Sequence, residues 1–131
     1  MIETDSVRIK ALSVKQPWAN MIANGEKTIE TRLWKTPYRG ELLICSSKDP
    51  DIYPAGFALA IVRLVWIGRM SEQWEAEAKC PTYAGAYAWH LEDARKIVRP
   101  FRVKGRQRLF EIEVPGDVKT VPMRTRRKAG C

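Results

Sequence analysis

The stretch from Phe57 to Gly68 limits the choice of fold more than any other part of the chain. It is the longest apolar run, rich in β-branched and aromatic residues, with Arg63 as its single charge. That composition favours a strand over a helix, and the run falls well short of the ~20 apolar residues that span a bilayer. It is predicted to be a central, bent strand. Arg63 then stands at the mouth of a barrel or is paired inside, because an unpaired interior charge is costly.

Shorter strands are predicted around it. Residues 9 to 14 form a first strand, and Pro17 after it suits the first position of a short helix. Trp18, Met21 and Ile22, three and four apart, share one face of that helix, and Gly25 ends it. Over residues 28 to 34, Ile29 and Leu33 point one way while Glu30, Arg32 and Trp34 point the other. Thr36 to Gly40 is turn chemistry, and Leu42 to Cys45 is a short buried strand. After a loop from Lys48 to Gly56 and the long strand, Ser71 with Glu72 and Glu75 marks a helix start, and the helix ends before Pro81. Residues 86 to 91 and 107 to 114 are two further strands, joined by a basic connection containing Pro100 and Gly105. The apolar pattern stops at Pro115, so one domain is expected over residues 1 to 119, followed by a basic disordered tail from 120 to 131. Short strands, two short helices and frequent turns argue for a small barrel or a compact α+β domain.

A chain of 131 residues with 45% apolar and 29% charged residues builds one core. Its net charge of +8 is uneven. Residues 1 to 94 carry 11 basic against 12 acidic side chains, whereas residues 95 to 131 carry 12 against 3. A basic last third favours polyanions through phosphate contact and counterion release. Cys45, Cys80 and Cys131 are widely spaced, with His90 the sole histidine, so no zinc site and no other cofactor is expected. They read as reduced thiols of an intracellular protein, cytoplasmic or, in a eukaryote, nuclear, with no membrane partner.

The candidate site begins with Glu30 and Arg32, two residues apart on one strand face. An arginine held by a carboxylate keeps donors free for a phosphate or a base edge, and Lys27 at the strand entrance adds a mobile point charge. Lys15 and Gln16 precede the helix at Pro17 and form a phosphate corner with it. Trp34 shares the charged face and is the candidate for base stacking. Arg99, Arg102, Lys104, Arg106 and Arg108 form a phosphate-tracking edge. Each has a plainer alternative: surface salt bridges, core packing of the tryptophans, a solvated loop and a structural His90.

The segment Gln16 to Gly40, QPWANMIANGEKTIETRLWKTPYRG, resembles the ASCH domain family. The resemblance rests on Gln16, Pro17, Trp18, Gly25, Lys27, Glu30, Arg32, Trp34, Arg39 and Gly40. It continues more loosely through Tyr53, Pro54 and Gly56, then Trp89 and Leu91, then Val103 to Gly105. With glutamate at position 30 the chain looks closest to the branch found in a transcriptional coactivator. The resemblance implies a small PUA-like mixed β-barrel with short flanking helices, of α+β class. It also implies a cleft with Lys27, Glu30 and Arg32 facing RNA, single-stranded nucleic acid or a nucleoside. Arg39 enters the expected binding set on the motif, beside Lys15, Gln16, Trp34, Lys104 and Arg106.

Two further function classes follow from the resemblance. Some small relatives are hydrolases acting on N4-acetylcytidine or on RNA, which would make Lys27 and Glu30 catalytic. Those amidohydrolases carry threonine where this chain has Glu30. The other class is a module for protein partners in transcription or translation.

Overall fold

The computed structural model describes residues 6 to 123. Six strands hydrogen-bond in the spatial order β2-β5-β4-β3-β1-β6, and a seventh pairs with β5. They are β1 (Val7–Val14), β2 (Ile29–Arg32), β3 (Gly40–Ser46), β4 (Phe57–Arg69), β5 (Tyr87–Arg102), β6 (Phe110–Val114) and β7 (Thr120–Pro122). β1 and β3 run parallel, and the other pairs are antiparallel. Two helices flank the sheet, α1 (Trp18–Ala23) and α2 (Glu75–Ala78), the latter entered through a 3₁₀ turn at Glu72–Trp74. The class is α+β, dominated by sheet. Hydrogen bonding does not close it into the expected barrel, because β2 and β6 end the path without pairing to each other.

β4 is the centre, as the apolar run requires. Its register with β5 shifts at three places, which bends both strands around the core. One face packs Leu59, Val62 and Leu64 with Leu12, Leu42, Ile44, Trp89 and the α1 residues Ala19, Ile22 and Ala23. Arg63 is paired at the surface, its guanidinium 3.3 Å from Glu41. A second cluster gathers Leu43, Cys45, Ile97 and Phe110, and a third packs Ile29 against Met70, Ala78 and Ala88 beneath α2.

Several boundaries move. The basic connection predicted after residue 91 is strand as far as Arg102, because backbone pairing with β4 outweighs a side-chain pattern of charges on its wet face. Residues 120 to 122, expected to begin a disordered tail, form β7 against Arg95 to Ile97. That pairing needs no apolar periodicity, and all three residues are exposed. Residues 124 to 131, including Arg124 to Lys128 and Cys131, lie outside the described residues. In α1 the buried face is Ala19, Ile22 and Ala23, so Trp18 does not share it and turns outward. β2 stops at Arg32, and Leu33 is 67% exposed instead of continuing the face of Ile29.

Candidate nucleic-acid interface

Three charged side chains meet where β2 leaves α1. Glu30 and Lys27 are 6% and 2% exposed, so the predicted mobile lysine is instead fixed in the interior. Two partners hold it: the Ala78 carbonyl at the end of α2 accepts a hydrogen bond from Nζ, and Glu30 Oε1 lies 3.6 Å away. The other Glu30 oxygen accepts from Arg32 Nε at 3.0 Å, with an Arg32 terminal nitrogen 2.9 Å away. Arg32 also donates to the Ser13 carbonyl at 2.7 Å. One carboxylate therefore serves two cations in a row. Burial pushes the Lys27 ammonium below its ordinary pKa, and Glu30 partly offsets that shift.

These groups floor a cleft of about 660 Å³ whose wall includes Ser13, Lys15, Trp18, Trp34, Ser47, Cys80, Thr82 and Tyr83. A second recess of about 780 Å³ shares Ser13, Lys15, Arg32, Trp34 and Ser47, and adds Lys48, Lys104, Arg106 and Arg108. The basic loop reaches β1 because Gly105 has no side chain: a Cβ there would lie 2.9 Å from Ser13 Oγ. Lys27, Glu30, Arg32, Trp34, Lys15, Lys104 and Arg106 thus occupy one continuous surface.

The remaining expected residues stand elsewhere. Gln16 turns toward the helix, accepting from the Asn20 amide at 3.1 Å and donating to Ser46 Oγ at 3.0 Å, so it is the support of the corner and lines neither recess. Lys15 is exposed, 3.7 Å from Asp49. Arg39 donates to the carbonyls of Thr36 and Tyr38, both at 2.7 Å, and braces its own turn. The predicted phosphate edge divides: Lys104, Arg106 and Arg108 face the recess, Arg102 lies 5.0 Å from the Phe57 ring, and Arg99 borders a separate hollow.

Trp34 combines both of its readings. It packs edge-on to buried Trp89 at 4.8 Å and its backbone carbonyl accepts from the Trp89 indole, while Arg108 sits 5.2 Å from its ring. Exposed aromatic surface at the cleft comes instead from Trp18 and Tyr83, at 36% and 45%. Trp18 belongs to the motif, but its helical spacing assigns it to the face of Met21 and Ile22 and not to the cleft. Tyr83 and Cys80 carry no local signal, because they reach the cleft only through the turn after α2.

The two described cysteines differ. Burial pushes the Cys45 thiol up to about 12, so almost none of it is thiolate at neutral pH. Cys80 is half-buried at the cleft wall, with Thr31 Oγ1 3.7 Å from its sulfur. In a Cys131→Ala background a maleimide at pH 7 is expected to modify Cys80 in the folded protein and to leave Cys45 unmodified until denaturant is added. Equal rates at both thiols would contradict this packing.

Among known proteins, the ASCH domain model matches residues 12–101. Activating signal cointegrator 1 of Homo sapiens is 25% identical over 130 residues, covering 78% of this chain, and the Mus musculus protein matches equally. The chain spans only 22% of the length of either relative. The crystal structure of ASCH from Zymomonas mobilis aligns with a TM-score of 0.65 at 19% identity, covering 79% of this chain and 86% of that one. A point variant of the same bacterial protein aligns at 0.60 and 18% identity, covering 79% and 88%. At those identities the likeness concerns the fold.

Proposed function

The chain belongs to the ASCH domain family, and on that premise we propose that it is a PUA-like nucleic-acid-binding module holding RNA or another single strand. One observation carries the reading: the Lys27–Glu30–Arg32 row, with Arg32 its partly exposed end, and the loop of Lys104 and Arg106 border one continuous surface. Phosphates supply sequence-independent attraction to the loop, while an unstacked base enters the cleft and meets Arg32 donors between the aromatic edges of Trp18 and Tyr83.

Fluorescence anisotropy with short single-stranded RNAs tests this at two salt concentrations. Binding is expected to tighten as salt falls and to differ among base compositions. Absence of binding to RNA and DNA at low salt, or binding indifferent to salt, would overturn the proposal.

A hydrolase reading has one supporting observation, the pairing of Lys27 with Glu30 in the lining of a cleft. Incubation with N4-acetylcytidine or single-stranded RNA, read by chromatography, separates the two. Turnover lost in Lys27→Ala would reverse the ranking in favour of an enzyme.

A further inference from the structure

The cleft offers a ligand far more hydrogen-bond donors than acceptors. Its lining carries three cations, Lys15, Lys27 and Arg32, and one carboxylate, Glu30. Glu30 is closed to a ligand. It is buried, one of its oxygens lies 3.6 Å from Lys27 Nζ, and the other accepts from Arg32 Nε at 3.0 Å with Arg32 Nη2 at 2.9 Å. Asp49, which borders the adjoining recess, faces Lys15 at 3.7 Å. The hydroxyls of Ser47, Thr82 and Tyr83 donate or accept according to their partner, so they do not discriminate. The direction of hydrogen bonding at the floor is therefore set by the Arg32 guanidinium, which can only donate.

The Nε and Nη2 nitrogens of Arg32 are already engaged within the protein. They form the edge turned to Glu30, and Nη2 also donates to the Ser13 carbonyl at 2.7 Å. Nη1 makes no hydrogen bond among the described residues, while 23% of the Arg32 side chain is exposed where it lines both recesses. The paired N–H fork that grips a phosphate, or O6 and N7 of guanine, is thus occupied. What is left is one cationic nitrogen, suited to a single carbonyl oxygen. The exposed rings of Trp18 and Tyr83 in the same cleft favour a flat ligand over a phosphate.

Resting on the nucleic-acid reading above, we propose that the cleft selects bases by a carbonyl oxygen on the edge far from the sugar and rejects bases that carry an amine there. Uracil, with O4, is accepted over cytosine, with its N4 amine. Hypoxanthine, with O6, is accepted over adenine, with its N6 amine. An amine brought to Nη1 sets donor against donor in a partly buried site, where an unpaired donor is costly. The one carboxylate that could accept from that amine is held by two cations of the protein itself.

Short single-stranded RNAs built of abasic spacers around one central base isolate this contact from base pairing and from neighbouring stacking. Fluorescence anisotropy with the full chain is expected to rank uracil above cytosine and hypoxanthine above adenine, each by at least about tenfold, with the wholly abasic strand no tighter than the cytosine strand. Arg32→Gln replaces a donor-only group by a carboxamide that also accepts, and is expected to bring each pair within about threefold. The ranking itself needs only the wild-type chain, so the test holds whether or not that variant folds. Equal affinity within either pair, or preference for the amine-bearing base, would overturn the selectivity while leaving nucleic-acid binding intact. An abasic strand bound as tightly as the uracil strand would also overturn it, assigning Arg32 to a phosphate. A ranking preserved in folded Arg32→Gln would put the selecting group elsewhere. Absence of binding to these strands and to ordinary RNAs at low salt would remove the nucleic-acid reading, and the selectivity with it.

Discussion

Glu30→Ala is expected to lower the melting temperature by about 10–20 °C. Glu30 is the counter-charge of Lys27, which is 2% exposed, and removing one member of a buried ion pair costs about 3–5 kcal/mol. For a domain of this size each kcal/mol is worth about 4 °C. Arg32 suffers less, since it is more exposed and keeps the Ser13 carbonyl. The loss is also expected to depend on pH. Lys27 has a folded-state pKa below its unfolded value, so the unfolded chain binds more protons in the window between them, and stability rises with pH there. Without Glu30 that depression deepens, and the deficit of the variant shrinks as pH is raised from 7 toward about 10. Thermal melts across that range measure it. In the double variant Lys27→Met/Glu30→Gln, which removes both buried charges, most of the stability is expected to return. A Glu30→Ala protein that melts within about 2 °C of wild type would show that the buried pair does not carry this part of the fold.

Two groups of cations on the proposed interface are expected to fail differently when removed. Lys104→Ala/Arg106→Ala takes two side chains from the recess bordering the cleft. If both contact phosphates, the slope of log affinity against log salt falls by about 1.4 on single strands, and all sequences weaken together. Arg32→Ala acts inside the cleft, where on the proposed reading an entering base would meet its donors. It is expected to preserve most of the salt slope while reducing discrimination between preferred and disfavoured bases by about 10- to 100-fold, the worth of one good directed contact. Titrations of several oligonucleotides with both variants at two salt concentrations check this. Selectivity lost with Lys104 and Arg106 but retained without Arg32 would move base recognition to the loop.

The same residues show what was legible beforehand. Phe57 to Arg69 is strand, as its composition demands, and Glu30 and Arg32 share a face because side-chain direction repeats every two residues. The motif from Gln16 to Gly40 identified the family by itself. Such features are local, and a linear pattern contains them.

Burial and partnership are not local. Lys27 reads as a mobile surface charge until the carbonyl of Ala78, 51 positions away, is seen to accept a hydrogen bond from it. Gln16 reads as a phosphate ligand until its amide is found capping α1 and holding Ser46. The run after Leu91 reads as a basic loop because its charges mask a backbone that β4 pairs almost to its end. β7 has no apolar signature, and only the open edge of β5 makes it a strand. The sequence by itself determined the family, the central strand and the Lys27, Glu30 and Arg32 triplet. The tertiary structure decided which of those charges are buried, which cations share a surface and how the sheet ends, because the energy of a charge or an edge depends on neighbours that the fold alone assembles.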